Sequence, residues 1–222
     1  MTVSQLDKPT KRARQDIQKL ERRQAILDSA WRIFQQSSYE AVTMDSVARE
    51  TGLAKGTLFL YFHTKEELFL GVTAQQLSEW FAAVDEKLAQ LSRKAAKAQV
   101  VSLMADSLRE RAGFTRLLAI LSTVLEQNVT YESALEFKRQ LLGLMLHTGA
   151  ELERCLPFLK AGEGAHLLMQ CQAIVVGLWH LSDPAPVTKQ VLELPEMRAF
   201  EVDFDREFRQ MLLALLNSLA HT

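Results

Sequence analysis

Two cysteines, five prolines and nine glycines are few for 222 residues, and each shortage excludes something. Cys155 and Cys171 stand sixteen residues apart and form no metal-ligand pattern, so they read as two buried thiols in a reducing compartment. With so little proline and glycine, long segments can repeat at the helical period, which points to an all-helical chain. No apolar run approaches the roughly eighteen residues that span a bilayer, so no membrane partner is expected. The N-terminus is basic without an apolar stretch behind it, unlike a secretory signal, and the expected location is cytoplasmic. No glycine-rich phosphate loop, nucleophile motif or paired metal-ligand spacing is found, so an enzyme is not expected and no cofactor or metal is implied.

What is present is ordinary in amount and uneven in placement. Hydrophobic residues make up 48% and charged residues 24%, enough for a large core without disulfides. The formal net charge of −1 conceals a polarity. Between Lys8 and Arg23 seven Lys/Arg face Asp16 and Glu21, whereas residues 71 to 222 carry 15 Lys/Arg and 18 Asp/Glu. A basic end on a mildly acidic body suits local attraction to phosphate.

Residues 1 to 16 are polar and contain a proline, and read as a disordered basic arm. The apolar positions Ile26, Leu27, Ala30, Ile33 and Phe34 predict a first helix from Gln18 to Gln36. Thr43 reads as the N-cap of a second, Met44 to Thr51, which Gly52 ends. Leu53 plugs the turn, and a third helix is expected from Lys55 to Tyr61. Thr64 and Glu67 form a capping-box pattern opening a fourth helix to Ala89. Further helices are expected near 94–110, 114–128, 131–155, 163–181 and 203–220, nine in all. Pro184 and Pro186 mark 182–202 as a loop, with room for a helical turn before Pro195.

The stretch from Thr43 to Lys65 has the parts of a helix-turn-helix. Val47 and Ala48 brace it, Gly52 turns, and Leu58 and Phe62 face inward to hold the recognition helix. Lys55 then has the reach for guanine O6/N7, Thr57 can bond a base or pack its methyl on thymine, and Gly56 lets backbone approach DNA. Thr43 and Lys65, at helix starts, and Tyr61 and His63 between them are candidate phosphate holders.

On these residues (Ile26-Leu27, Ala30, Phe34, Thr43, Val47-Ala48, Gly52 through Leu58, Tyr61-Phe62, Lys65 and Leu68) the chain resembles the TetR family of bacterial transcription regulators. The resemblance covers residues 20 to 70. It implies an N-terminal DNA-binding domain, 17–64, and a C-terminal ligand-binding and dimerisation domain, 65–222. It also implies a homodimer on a palindromic operator of double-stranded DNA, usually a repressor, released when a small molecule binds the body. Thr43, Lys55, Gly56, Thr57, Phe59, Tyr61 and Lys65 fall at positions that touch DNA in relatives. The chain departs from the family pattern at Ser38, Ala54, Phe59 and Leu60. Ala54 removes a capping side chain, Phe59 cannot donate to phosphate, and Leu60 places an apolar residue on an outward side.

In the body, the last two helices carry more apolar surface than one core needs. Leu167, Cys171, Ile174 and Leu178 on one, with Phe208, Met211, Leu212, Leu215 and Leu219 on the other, suggest a two-fold four-helix interface. Trp80, Phe81, Met104, Phe114, Leu117, Leu121, Met145, Met169 and Trp179 are candidate walls of a cavity for a small apolar or aromatic effector. Gln127, His147, His166 and Gln170 are its candidate polar partners. The alternative is a helical ligand-binding or scaffold protein whose head no longer binds DNA.

Overall fold

The computed structural model describes residues 11–221, and all of them that lie in regular structure are helical: ten α-helices, a π-helical turn and a 3₁₀ helix. The chain divides into two compact units after Val72.

The first unit holds α1 (Lys11–Gln36), α2 (Met44–Thr51), α3 (Lys55–Phe59) and the opening of α4 (Lys65–Ala89). Helix α1 begins seven residues earlier than periodicity predicts. Its first two turns lack an apolar face but are rich in Arg, Ala and Gln, which favour helix intrinsically. The expected arm is therefore helical from residue 11, and residues 1–10 lie outside the described residues. Ile26, Leu27, Ala30 and Phe34 of α1 are buried with Val47, Ala48, Leu58 and Phe62. Phe69 of α4 meets the rings of Phe34 and Tyr39 edge-on at 5.5 and 5.0 Å. Those contacts draw the first two turns of α4 into this unit, so the division falls inside the helix rather than at residue 64.

The second unit continues α4 and adds α5 (Lys97–Arg109), α6 (Ala112–Ile120), the π turn Leu121–Leu125, α7 (Tyr131–Cys155), α8 (Glu163–Ser182), α9 (Pro186–Leu192), the 3₁₀ helix Pro195–Phe200 and α10 (Phe204–Leu219). Helix α9 lies where a helical turn before Pro195 was expected and is longer than one turn, and the 3₁₀ helix takes up most of the rest of the expected loop at 182–202. Each opens on a proline, whose missing N–H would have no partner in a first turn anyway.

Helix α8 is central, packing on α6, α7 and α10. It meets α7 at backbone distance where Gly149 faces Gly164: a Cβ built on Gly164 would stand 2.1 Å from the Gly149 carbonyl oxygen. The connection is also clamped, because the Glu153 carboxylate accepts the N–H groups of Gly162 and Gly164 at 2.8 and 2.9 Å.

This central place bears on the residues expected at a dimer surface. Leu167, Cys171, Leu178, Phe208 and Leu212 are buried within their own unit. Ile174, Leu215 and Leu219 are half-buried, and Met211 is exposed. Much of the surplus apolar surface of α8 is thus consumed by three neighbours inside the chain.

Candidate nucleic-acid interface and effector cavity

The helix-turn-helix is built by local rules. Thr43 is extended (φ −122°, ψ 156°) and its Oγ1 accepts the Ser46 N–H at 3.1 Å, while Ser46 Oγ accepts the Thr43 N–H at 3.0 Å. The reciprocal pair fixes the start of α2. At its end Gly52 is left-handed at φ +67°, which an L side chain resists, and the Leu53 N–H returns to the Ala48 carbonyl at 2.9 Å. Ala54 gives α3 no side-chain cap, as its sequence requires. The short helix is held instead from below by Leu58 and Phe62, both buried.

With those anchors fixed, Lys55, Gly56, Phe59, Leu60 and His63 are exposed, and Thr57 and Tyr61 are half-buried. Lys55 Nζ lies 3.0 Å from Asp45 of α2, both side chains more than half exposed. Such a solvated pair is worth about 0–1 kcal/mol, so the ammonium can exchange Asp45 for a base or phosphate at little expense. Thr43 is exposed, and the cap takes only an acceptor lone pair of its hydroxyl, so the O–H can still donate to a phosphate.

Lys65 differs from the expectation of a free phosphate holder. Its ammonium donates to the Tyr39 carbonyl and stands 3.9 Å from the Tyr39 ring centre. Burial holds it below the usual lysine range, against the opposite pull of Glu40 and Glu66. Burial likewise pushes the Tyr39 phenol up, reinforced by the bond it donates to Glu66 at 3.0 Å. The start of α4 is similarly occupied. Glu67 N–H donates to Thr64 Oγ1 at 3.0 Å, and the buried Glu67 carboxylate accepts the His63 N–H at 2.9 Å. A carboxylate already neutralises this helix terminus, so its pull on a phosphate is reduced. Two supports escaped the sequence reading: Ser46, the unlooked-for half of the α2 cap, and Arg23, whose guanidinium lies 5.2 Å from the Phe62 ring centre.

In the second unit a cavity of about 40 Å³ is lined by Trp80, Phe81, Met104 and Met145 among the expected residues. Leu77, Leu108, Leu141, Gln172 and Val175 also line it. So do Cys171 and Phe208, expected at a dimer interface instead. Trp80 donates its indole N–H to Ser107 at 3.0 Å, leaving the ring to form wall. Burial pushes the Cys171 thiol up to about 12, so it is an apolar wall group rather than a nucleophile.

The remaining expected wall residues lie elsewhere. Phe114, Leu117 and Leu121 are solid core, and Met169 is 58% exposed. Trp179 borders a separate surface depression with Asp203 and Phe204. Gln127, His147, His166 and Gln170 do not reach the cavity, and Gln172 supplies its amide. Helical spacing placed these residues on the right helices without fixing which face of α8 turns inward. Among the described residues no group of His, Cys, Asp or Glu is arranged to hold a metal, and no helix is long and apolar enough to cross a membrane.

The two units match two family models in register. Residues 26–72 match the bacterial regulatory proteins of the tetR family, and residues 74–221 match the tetracyclin repressor-like C-terminal domain. The chain belongs to the TetR family. An uncharacterized HTH-type transcriptional regulator, YhgD of Bacillus subtilis (strain 168), is 38% identical over 69 residues, 31% of this chain and 36% of that protein. The Fatty acid metabolism regulator protein of the same organism is 22% identical over 103 residues, 46% of this chain and 52% of that protein. The matched stretch thus spans between about a third and a half of the length of these curated relatives. Among solved structures, a putative transcriptional regulator from Rhodococcus sp. RHA1 superposes with a TM-score of 0.61 at 16% identity, covering 90% of this chain and 98% of that one. FadR from Bacillus subtilis in complex with stearoyl-CoA gives 0.53 at 20% identity, covering 87% and 96%. At these identities the likeness is one of fold.

Proposed function

We propose that this TetR-family protein is a sequence-specific DNA-binding transcription regulator that represses from a palindromic operator and lets go when a small apolar or aromatic effector enters its second unit. The observation that carries the reading is the head itself. Gly52 turns left-handed, Leu58 and Phe62 anchor, and Lys55, Gly56 and Thr57 lead an outward-facing recognition helix. An α-helix presented by its N-terminal residues suits the major groove.

Two heads spaced about 34–36 Å apart would enter successive major grooves, which calls for a homodimer. Ile174, Met211, Leu215 and Leu219 keep apolar surface available for a second copy. The protein acts in the cytoplasm, where the operator is.

The effector class follows from the cavity wall, which is apolar except for the Gln172 amide. The relative in complex with stearoyl-CoA supports an apolar effector in a body of this fold. At about 40 Å³ the space holds little more than water, so a metabolite must displace wall side chains. Met104 and Met145, unbranched and flexible, are suited to yield. Helix α4 is the coupling rod: Phe69 packs in the head, and Trp80 and Phe81, eleven and twelve residues further along the same helix, form cavity wall. Driving the heads from 1:99 to 99:1 out of register needs about 5.5 kcal/mol of differential affinity.

The test is operator binding by Lys55→Ala and Tyr61→Ala chains whose helicity and melting temperature match the parent. Loss of specific binding is expected. Unchanged binding by both would return the head to a structural role.

A further inference from the structure

One departure from the family pattern is not absorbed by that function. Leu60 is 78% exposed, the most exposed of the large apolar residues in the helix-turn-helix. A single exposed leucine is ordinary on a protein surface. Its place is not. The backbone at Leu60 stays helical (φ −73°, ψ −18°) and its N–H donates to the Thr57 carbonyl at 3.2 Å, so the turn of α3 continues through it. Leu60 therefore lies three and four residues beyond Thr57 and Gly56, on the side of the helix that those two residues present. Leu58 and Phe62 fill the opposite side and leave Leu60 no inward position. Beside it is an opening, because a Cβ on Gly56 would meet nothing within 4 Å. Phe59, 37% exposed, adds a second apolar edge.

The major groove offers one apolar partner to such a surface. Each base pair edge is a pattern of donors and acceptors, except for the 5-methyl group of thymine. A leucine set against guanine O6/N7 or cytosine N4 would desolvate those groups without bonding them, which is unfavourable. We infer that Leu60, with the opening over Gly56 beside it, reads a thymine methyl in each half-site, so that an A·T pair at that position is a fixed feature of the operator. The inference rests on the DNA-reading function proposed above.

The thymine methyl can be removed without changing base pairing by using deoxyuridine. Operator duplexes recovered from a random pool are resynthesised with deoxyuridine at one thymine position at a time, in both half-sites, and titrated against the full-length chain. Burying one methyl is worth about 0.8 kcal/mol, a factor of about four per half-site and about fifteen for the symmetric pair. At one position the parent chain loses about fifteenfold, Leu60→Met keeps that sensitivity, and Leu60→Ala binds the two duplexes alike. If a palindrome is recovered but no methyl matters, or Leu60→Ala loses as much as the parent, the inference about Leu60 fails while the regulator reading stands. If no sequence is enriched, both fail.

Discussion

Two glycines separate the two halves of this molecule. Gly164 in α8 has no room for a side chain because the backbone of α7 fills the space, whereas Gly56 in α3 faces empty space and has room to spare. The first is a glycine demanded by the protein's own packing. The second is one that folding does not require, and on the present account the missing side chain serves DNA. At these two positions α8 commits its glycine to an internal contact, and α3 leaves its own uncommitted.

The largest effect should come from closing the tight contact. Gly164→Ala is expected to destabilise by about 3 kcal/mol or more, because neither backbone can yield without shifting a helix. Gly143→Ala, on α7 with nothing within 4 Å, should instead be neutral or gain up to about 1 kcal/mol. Denaturant midpoints of the two variants check both; equal midpoints would mean that α7 and α8 do not cross so closely.

Gly56→Ala should reverse the pattern. Its melting temperature should match or exceed that of the parent, while operator affinity falls at least about tenfold, or 1.4 kcal/mol. Lost stability in that variant would place Gly56 with Gly164 and erase the contrast.

Lys55→Ala should weaken operator binding by about 1–3 kcal/mol and relax preference at one position per half-site. Lys65→Ala is the smallest and sharpest case. With its ammonium on the Tyr39 carbonyl and ring, the side chain should contribute about 1 kcal/mol to the head's stability and nothing to the salt dependence of binding. A salt slope lowered by about one per site, with stability unchanged, would make Lys65 a phosphate contact instead.

The head was legible because its signals are local. A threonine before a helix and a glycine after it act within four residues, and Leu58 and Phe62 face inward whatever lies beyond. Even there, tertiary chemistry intervened: Tyr39, 26 residues before Lys65, captured its ammonium. The body was legible as helices but not as a site. Nothing in the spacing of α8 says that Cys171 faces the cavity while Met169, two residues earlier, faces solvent. That choice is made by α6, α7 and α10, which pack on it from distant parts of the chain. Helix α9 was expected only as a turn before Pro195, for a different reason. A proline bars the residue before it from helix, but at position one it begins a helix, and only the following residues distinguish the two outcomes.

The most direct test is selection of bound sequences by the purified full-length chain from a random duplex pool at near-physiological salt. Enrichment of a palindrome with half-sites about one helical turn apart is the predicted result. Salt-sensitive binding without enrichment of any sequence would contradict the claim that this head reads DNA.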